Sequence, residues 1–203
     1  MKRRLLLVVL LMGGLLLCAC AQHDTVAEPE KTFEERLLDG AQPLAENITG
    51  EEPRKLSLES VHYGSFSSPS AQELCALFKY ESTVHVEGLD RTLAVIYTVE
   101  DLKVVASKDL QADEVQIEYL PSPEGNEVIL CFATVTNHGF STYHIELFSI
   151  RESQWEKIPI TLPALNESDR CYLAGQTVLR VDAQDTCEAY TWNSETGDFE
   201  VRT

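Results

Sequence analysis

Residues 127–150, EVILCFATVTNHGFSTYHIELFSI, decide the fold class of the chain. Val, Ile, Leu, Phe, Thr and Tyr dominate both halves of this segment, and most of these residue types are enriched in β-strands. Between the halves stands Asn137-His138-Gly139, where Gly139 can take the positive φ that a tight turn requires. The segment therefore predicts two antiparallel strands joined by a turn.

The same pattern extends in both directions from this hairpin through residues 56–203. Short runs rich in β-formers alternate with clusters of Gly, Pro, Ser, Asp and Asn, and no stretch shows a sustained helical period. The predicted strands are 72–80, 92–98, 102–109, 115–120, 127–136, 143–150, 155–162, 177–181, 187–193 and 199–202. The sequence therefore predicts an all-β domain over 56–203, built from about ten to twelve short antiparallel strands.

Three candidate hairpins share one spacing, in which six residues separate two apolar ones. The pairs are Val95 with Leu102, Phe148 with Trp155, and Trp192 with Phe199. The second members of successive pairs lie 53 and 44 residues apart, close to the period of propeller blades, which is roughly 40–50 residues. The spacing predicts three blade-like units of about four strands each.

The start of the domain resembles the FG-GAP and VCBS type of propeller blade. Gly64-Ser65-Phe66 and the apolar run that ends at Phe78 carry this resemblance. In those families the intervening loop holds Asp and Asn ligands for calcium, whereas here it reads Ser67-Ser68-Pro69-Ser70, so no calcium site is implied. Because propellers have about four to eight blades, three cannot close a ring. We expect an open partial propeller, a β-sandwich, or units that close on self-association.

Residues 20–55 differ in composition from the domain that follows. After position 20 this stretch holds nine acidic residues, three prolines and few large apolar side chains, which favours a flexible acidic tether. Within it, Thr32-Phe33-Glu34-Glu35 reads as a capping box and predicts a short helix over 33–39. Phe33, Leu37 and Leu38 would share one face of this helix. The helix either forms transiently on the tether, which the composition favours, or docks on the domain or on a partner.

The first nineteen residues have the features of an export signal. Met1-Lys2-Arg3-Arg4 is a short basic start, and an apolar run from Leu5 to Leu17 follows it. A basic start followed by roughly 7–15 apolar residues is typical of a secretory signal, and it is too short to span a bilayer. The sequence therefore predicts a signal peptide over 1–19.

The end of that signal, Leu17-Cys18-Ala19-Cys20, resembles the lipobox of bacterial lipoproteins. Ala19 supplies the small side chain before the cysteine, whereas Cys18 stands where Ser, Thr, Ala or Val is more usual. The resemblance implies cleavage between Ala19 and Cys20 by signal peptidase II, and a diacylglycerol on the Cys20 thiol that anchors the chain to a bacterial membrane, outside the cytoplasm. Ordinary cleavage near Ala19 or Ala21, giving a free secreted protein, is the alternative.

Composition and charge exclude several classes of protein and partner. Apolar residues make up 44% and charged residues 24% of the chain, which is too polar for a multi-span membrane protein. With 16 basic and 33 acidic residues, the net charge is −17, and loss of the signal would lower it to −20. Nucleic acid is excluded, because phosphate backbones are bound by clustered Lys and Arg. A cationic protein or peptide partner is favoured instead.

Four cysteines would remain in the mature domain: Cys75, Cys131, Cys171 and Cys187. Outside the cytoplasm they could form two disulfides. Most of them lie in apolar runs, where a free cysteine behaves as a small core residue. Their spacing does not match a zinc site, so thiols and disulfides both stay open.

No recognised catalytic or cofactor motif is present in the mature chain, and we expect no cofactor and no metal. The most notable polar cluster is His85-Val86-Glu87-Gly88-Leu89-Asp90-Arg91, in which His85 and Glu87 would share one face. A hydrolytic site would also need a nucleophile or a metal. The cluster is therefore interpreted as a polar loop, with Arg91 in a surface salt bridge.

Two further groups of residues are of types that occur in ligand sites. His138 and His144 lack a placed carboxylate or thiolate, so a metal-binding role is not predicted. Trp155 and Trp192 occupy matching hairpin positions and are predicted to pack there rather than to form a sugar platform.

These observations favour a non-catalytic lipoprotein that presents a β-domain for binding or scaffolding outside the cytoplasm. The alternatives are a cell-envelope hydrolase, whose site would be assembled from residues distant in sequence, and a protein inhibitor that inserts an acidic loop into another protein.

Overall fold

The computed structural model describes residues 30–50, 52–53, 55–81, 91–125, 128–137, 140–163 and 165–202. Among these residues there are one helix, α1 (Phe33–Thr49), and twelve strands. The strands form three four-stranded antiparallel sheets, in each of which consecutive strands are neighbours. The all-β prediction is confirmed.

The three sheets follow one another along the chain. Sheet 1 contains β1 (Lys55–Gly64), β2 (Glu73–Glu81), β3 (Arg91–Thr98) and β4 (Val104–Asp109). Sheet 2 contains β5 (Glu114–Pro121), β6 (Val128–Asn137), β7 (Ser141–Arg151) and β8 (Gln154–Ile158). Sheet 3 contains β9 (Arg170–Ala174), β10 (Thr177–Val181), β11 (Cys187–Asn193) and β12 (Asp198–Val201). Each predicted hairpin pair falls in a different sheet, while the arrangement of the sheets as an open propeller stays a prediction.

All ten predicted strands are present, but β1 and β9 were not expected from the sequence. β1 alternates apolar and polar residues, and a register shift between Leu58 and Ser60 interrupts the alternation. β9 has five residues, of which only Cys171 is fully buried. Neither strand is an apolar run, and such runs were the signal on which the prediction depended.

Apolar side chains join sheets 1 and 2 face to face. Sheet 1 contributes Cys75, Leu77 and Ile96 among others, and sheet 2 contributes Leu130, Phe132, Phe148 and Ile150. The ring centroid of Phe132 lies 6.0 Å from that of Phe148 and 6.0 Å from that of Trp155, which is within the range of favourable aromatic pairs. This interface is the central core of the domain.

Helix α1 covers the other face of sheet 1. Leu37, Ala41 and Ala45, spaced one turn apart, are fully buried against β2 and β3. The approach is close, because a Cβ added to Gly40 would lie 2.8 Å from Cε1 of Tyr97. The Tyr97 hydroxyl also donates a hydrogen bond of 2.9 Å to the carbonyl oxygen of Leu37.

Over residues 33–49 the chain forms this helix where a flexible tether was expected, while residues 20–29 of the predicted tether lie outside the described residues. The predicted capping box is present, since the Glu35 N–H donates to Thr32 Oγ1 at 3.2 Å and the Thr32 N–H donates to Glu35 Oε2 at 2.6 Å. The helix runs ten residues beyond the predicted end at 39, however, and it is docked rather than transient. Two of the three residues in its buried stripe, Ala41 and Ala45, are small. Composition counts them as weakly apolar, although they allow close contact with the sheet.

Sheet 3 packs against the side of sheet 2 that faces away from sheet 1. Its buried residues Val178, Trp192 and Phe199 share a cluster with residues of β5, β6 and β7. The Trp192 Nε1–H donates to the carbonyl oxygen of Pro121 at 2.9 Å. Each inner face is thus matched to the neighbouring sheet, and residues 32–203 form one compact unit.

Candidate functional site

A cleft of about 320 Å³ lies between sheets 2 and 3, and we refer to it as the inter-sheet cleft. Its walls are β7, the strands β9, β10 and β11 of sheet 3, and the connection between β8 and β9. Its apolar lining includes Ile145, Ile160, Leu162, Leu165 and Val178, and its polar lining includes Tyr143, His144, Asn166, Glu167, Arg180 and Tyr190. Mostly apolar walls with a few convergent polar groups, at this volume, are typical of ligand sites.

Strand β8 ends at Ile158, four residues before the predicted end at 162. Residues 159–169 then connect β8 to β9. Pro159 and Pro163 have no N–H to donate to a strand ladder. The connection ends in a turn, where the Asp169 N–H donates to the Asn166 carbonyl oxygen at 3.0 Å. Asn166 in turn donates to Asp169 Oδ2 from its backbone N–H at 2.9 Å and from Nδ2 at 3.2 Å.

Arg180 links this turn to sheet 3. Its Nε and Nη2 donate to Asp169 Oδ2 at 3.1 and 2.7 Å, and its Nη1 donates to Glu188 Oε2 at 3.4 Å. The Tyr190 hydroxyl also donates to Glu188 Oε2, at 2.7 Å. The side chain of Asp169 is 1% exposed and that of Arg180 is 16% exposed. The polar wall of the cleft is therefore held in one geometry.

The protonation states follow from these contacts. The backbone N–H of Asn166, followed by the Arg180 guanidinium, lowers the pKa of Asp169 below its usual value. The Asp169 carboxylate raises the pKa of Arg180 in return. Both groups are therefore charged near neutral pH. Burial raises the pKa of the Cys171 thiol, which also lines the cleft, to about 11, so this cysteine is not an activated nucleophile.

A second cleft, of about 480 Å³, is bordered by all three sheets. Lys79 of sheet 1 donates to the carbonyl oxygen of Asp113, before β5. Gln116 of β5 accepts a hydrogen bond of 3.0 Å from the backbone N–H of Leu173 in β9. These polar groups join the sheets to one another, so we assign this region a structural role.

A contact between Ser60 and His62 on β1 combines two residue types that occur in the active sites of hydrolases. On β1, Ser60 Oγ and His62 Nε2 lie 2.9 Å apart, and Glu118 lies close enough to oppose the lowering of the His62 pKa that burial causes. Ser60 and His62 are two residues apart on a strand, so their side chains are neighbours on one face. Neither residue lines either cleft, and a serine nucleophile also needs a substrate site with oxyanion donors. We therefore place the candidate site in the inter-sheet cleft.

Several residues singled out in the sequence fall outside the described part of the chain. These include the predicted signal peptide and lipobox, with Leu17, Cys18, Ala19 and Cys20. They also include residues 85–90 of the polar cluster and the turn residues His138 and Gly139. Arg91 of that polar cluster is described, and it pairs with Asp109 across β3 and β4. The one helix described is not long and apolar enough to cross a membrane.

The remaining candidates are placed as follows. His144 lines the inter-sheet cleft, and no group of three or more potential metal ligands occurs among the described residues. Trp192 is buried in the core, and half-buried Trp155 packs on Phe132 and Phe148. The four domain cysteines are free thiols; Cys75, Cys131 and Cys171 are buried, and Cys187 is exposed.

The sequence did not identify Asp169 and Arg180. They are eleven residues apart on different elements, and an Asp and an Arg at that spacing match no motif. The available signal was indirect: a proline-containing connection between two predicted strands can leave a gap between sheets. No protein-family model and no curated protein matches this chain.

Proposed function

We propose that the protein is a lipid-anchored binding module of a bacterial cell envelope, outside the cytoplasm and without catalytic chemistry of its own. The lipobox resemblance at Leu17-Cys18-Ala19-Cys20 supports the anchor, and it implies a diacylglycerol on the Cys20 thiol. The inter-sheet cleft would hold part of a protein or peptide partner. The negative charge of the chain favours a cationic partner.

The observation that carries this proposal is the construction of the cleft. Apolar side chains from two sheets and a connection line one side, while Asp169 and Arg180 fix the polar side through charge-assisted hydrogen bonds. Fixed donors and acceptors beside an apolar surface give affinity and orientation without further ordering of the site. Neither a nucleophile nor a paired acid and base is needed for that function.

A hydrolase and an inhibitor are the other functions that the sequence leaves open. The contact between Ser60 and His62 is the observation that favours a hydrolase, but it lies outside the cleft that could hold a substrate. A binding function uses the cleft as it stands, and we therefore favour it.

The anchor is tested with a Cys20→Ala variant, expressed in bacteria that are fed a radiolabelled fatty acid. We expect the variant to lose the label and to retain its signal segment, because the acceptor thiol is absent. A Cys18→Ser variant is the matched control and should be labelled and cleaved normally. Persistent labelling of the Cys20→Ala variant would show that the lipobox assignment is wrong.

The binding role is tested by photo-crosslinking from inside the cleft in intact cells. A photoreactive amino acid is placed at Leu165, which lines the cleft, and separately at Val201, which is 61% exposed on β12. We expect one discrete adduct from position 165 and none of the same mass from position 201. Identical adducts from both positions, or none from position 165, would contradict binding at this cleft.

A further inference from the structure

The charged side chains at the inter-sheet cleft do not balance. Arg180 is the single cation in the described lining, and Asp169 and Glu188 already accept its hydrogen bonds. Glu167, an exposed residue at the rim of the cleft, adds a third carboxylate. Apart from His144, Arg180 and Glu167 are the charged side chains in the described lining. Asp169 and Glu188 contact Arg180 from outside that lining, so the cleft and its immediate neighbours hold one positive group against three carboxylates.

Glu167 is the carboxylate positioned to meet a ligand. Its side chain makes no ion pair with a described residue, whereas Asp169 and Glu188 both accept hydrogen bonds from Arg180. Glu167 lies in the turn of the connection 159–169, which Asn166 and Asp169 hold by hydrogen bonds. A cation at the rim would gain a partner there without breaking an existing contact.

The apolar part of the cleft limits the shape of that cation. Ile160, Leu162 and Leu165 of the connection face Ile145 and Val178 of the two sheets across a volume of about 320 Å³. This space suits two or three amino-acid side chains rather than a folded domain. Lysine and arginine bury their methylene stems along apolar surface and keep their charged groups at its edge. An aliphatic neighbour would fill the rest of the volume.

We infer that the inter-sheet cleft binds a peptide segment in which a lysine or arginine stands next to an aliphatic residue, with the basic group at Glu167. This inference rests on the proposed binding function and names the ligand class of the same site. The basic stem lies along the side chains of the connection, and the aliphatic residue occupies the space beside Ile145 and Val178. Arg180, already countered by two carboxylates, does not repel the incoming cation as a bare guanidinium would.

The test uses the full-length mature protein in a neutral detergent and three peptides. They are acetyl-Ala-Leu-Lys-Leu-Ala-amide and the same peptide with norleucine or glutamate in place of lysine. Norleucine keeps an aliphatic stem and removes the charge. We expect calorimetry at low salt to show the lysine peptide binding about tenfold tighter than the norleucine peptide, with the difference shrinking at high salt. The glutamate peptide should bind weakest.

Two variants locate the charge preference. Glu167→Gln should reduce the advantage of lysine over norleucine by about threefold or more, because the rim carboxylate is lost. Glu100→Gln, an exposed glutamate in the turn after β3, removes the same net charge from sheet 1 and should leave the advantage unchanged. Equal losses in the two variants would show a diffuse effect of net charge and overturn the assignment of Glu167.

Other outcomes separate this inference from the proposed function. If norleucine and lysine peptides bind equally, the cationic ligand class is wrong although the cleft still binds peptides. If no peptide binds while the photoreactive residue at position 165 still forms its adduct, the inferred basic and aliphatic peptide ligand is wrong. The proposed binding function of the inter-sheet cleft is then retained. Tighter binding of the glutamate peptide would overturn the inference by assigning the cleft to anions.

Discussion

At the scale of single residues, the hydrogen bonds donated by Arg180 fix the polar side of the inter-sheet cleft. Its guanidinium holds Asp169, whose side chain is 1% exposed, and Glu188 on the neighbouring strand. A buried carboxylate without a cationic partner is strongly unfavourable. Asp169 and Arg180 therefore depend on each other. The pair was not predictable from the sequence, because it forms only once the turn at 166–169 and the register of β10 are both set.

The burial of two cysteines, by contrast, follows from the sequence. Cys75 and Cys131 lie within apolar strand runs, which made a core thiol one of the two open interpretations. The structure places both of them at 0% exposure. Local sequence therefore indicated where these cysteines are buried, although it could not exclude a disulfide partner elsewhere in the chain.

The Cys75 thiol should make stability depend on alkaline pH. Burial raises its pKa from 9.0 to about 12, so the native state keeps a proton that the unfolded state loses. The contribution of this protonated thiol to the free energy of unfolding is fully present below pH 9. It is lost as pH rises from about 9 to about 12, at up to about 1.4 kcal/mol per pH unit. Urea unfolding of the wild type and of Cys75→Ala across this range measures the difference in slope.

Removing the Cys75 thiol should flatten the pH dependence of the free energy of unfolding. The small cavity that the substitution leaves lowers this free energy by the same amount at every pH, so it does not change the slope. Other groups that titrate above pH 9 affect both proteins alike, so only the difference between the two curves is diagnostic. Cys187→Ala, which alters an exposed thiol, is the control and should leave the slope close to that of the wild type. Parallel curves for the wild type and Cys75→Ala would contradict a buried, protonated thiol.

At the scale of elements, α1 shows where composition misleads. The capping box correctly placed the start of the helix, because that signal is local. The docking depended on Leu37 and on Ala41 and Ala45, two small residues that add little apolar surface to the composition of the segment. A helix with small residues on one face can approach a sheet closely, and the contact between Gly40 and Tyr97 shows such an approach. Whether a matching surface exists cannot be seen in the helix sequence alone.

A Leu37→Ala substitution tests whether α1 is part of the domain. Leu37 is 0% exposed in the cluster between α1 and sheet 1, so we expect the free energy of unfolding to fall by about 2–4 kcal/mol. Urea denaturation followed by circular dichroism measures this loss. Ile48→Ala, on the same helix but at a position 38% exposed, should lose much less. A Leu37→Ala variant as stable as the wild type would indicate a helix that is not docked.

At the scale of the whole molecule, the order of the layers decides which part is most stable. Sheet 1 lies between α1 and sheet 2, and sheet 2 lies between sheets 1 and 3. Sheet 3 shares a described apolar cluster on one face only. Its strands are also short, from four to seven residues, whereas those of sheets 1 and 2 run from five to eleven. The sequence predicted ten of the twelve described strands in these layers but not which faces pack together, since face-to-face contacts join residues far apart in the chain.

Sheet 3 should therefore open before the rest of the domain. Local opening exposes fewer buried side chains there, and hydrogen exchange reports the free energy of such opening. We expect backbone amides of β10 and β11 to have protection factors at least about tenfold lower than those of β2, β3, β6 and β7.

Because the inter-sheet cleft lies between sheets 2 and 3, a bound peptide should raise the protection factors in sheet 3 more than those in sheet 1. Equal protection in all three sheets without peptide would instead show that the sheets open as one cooperative unit.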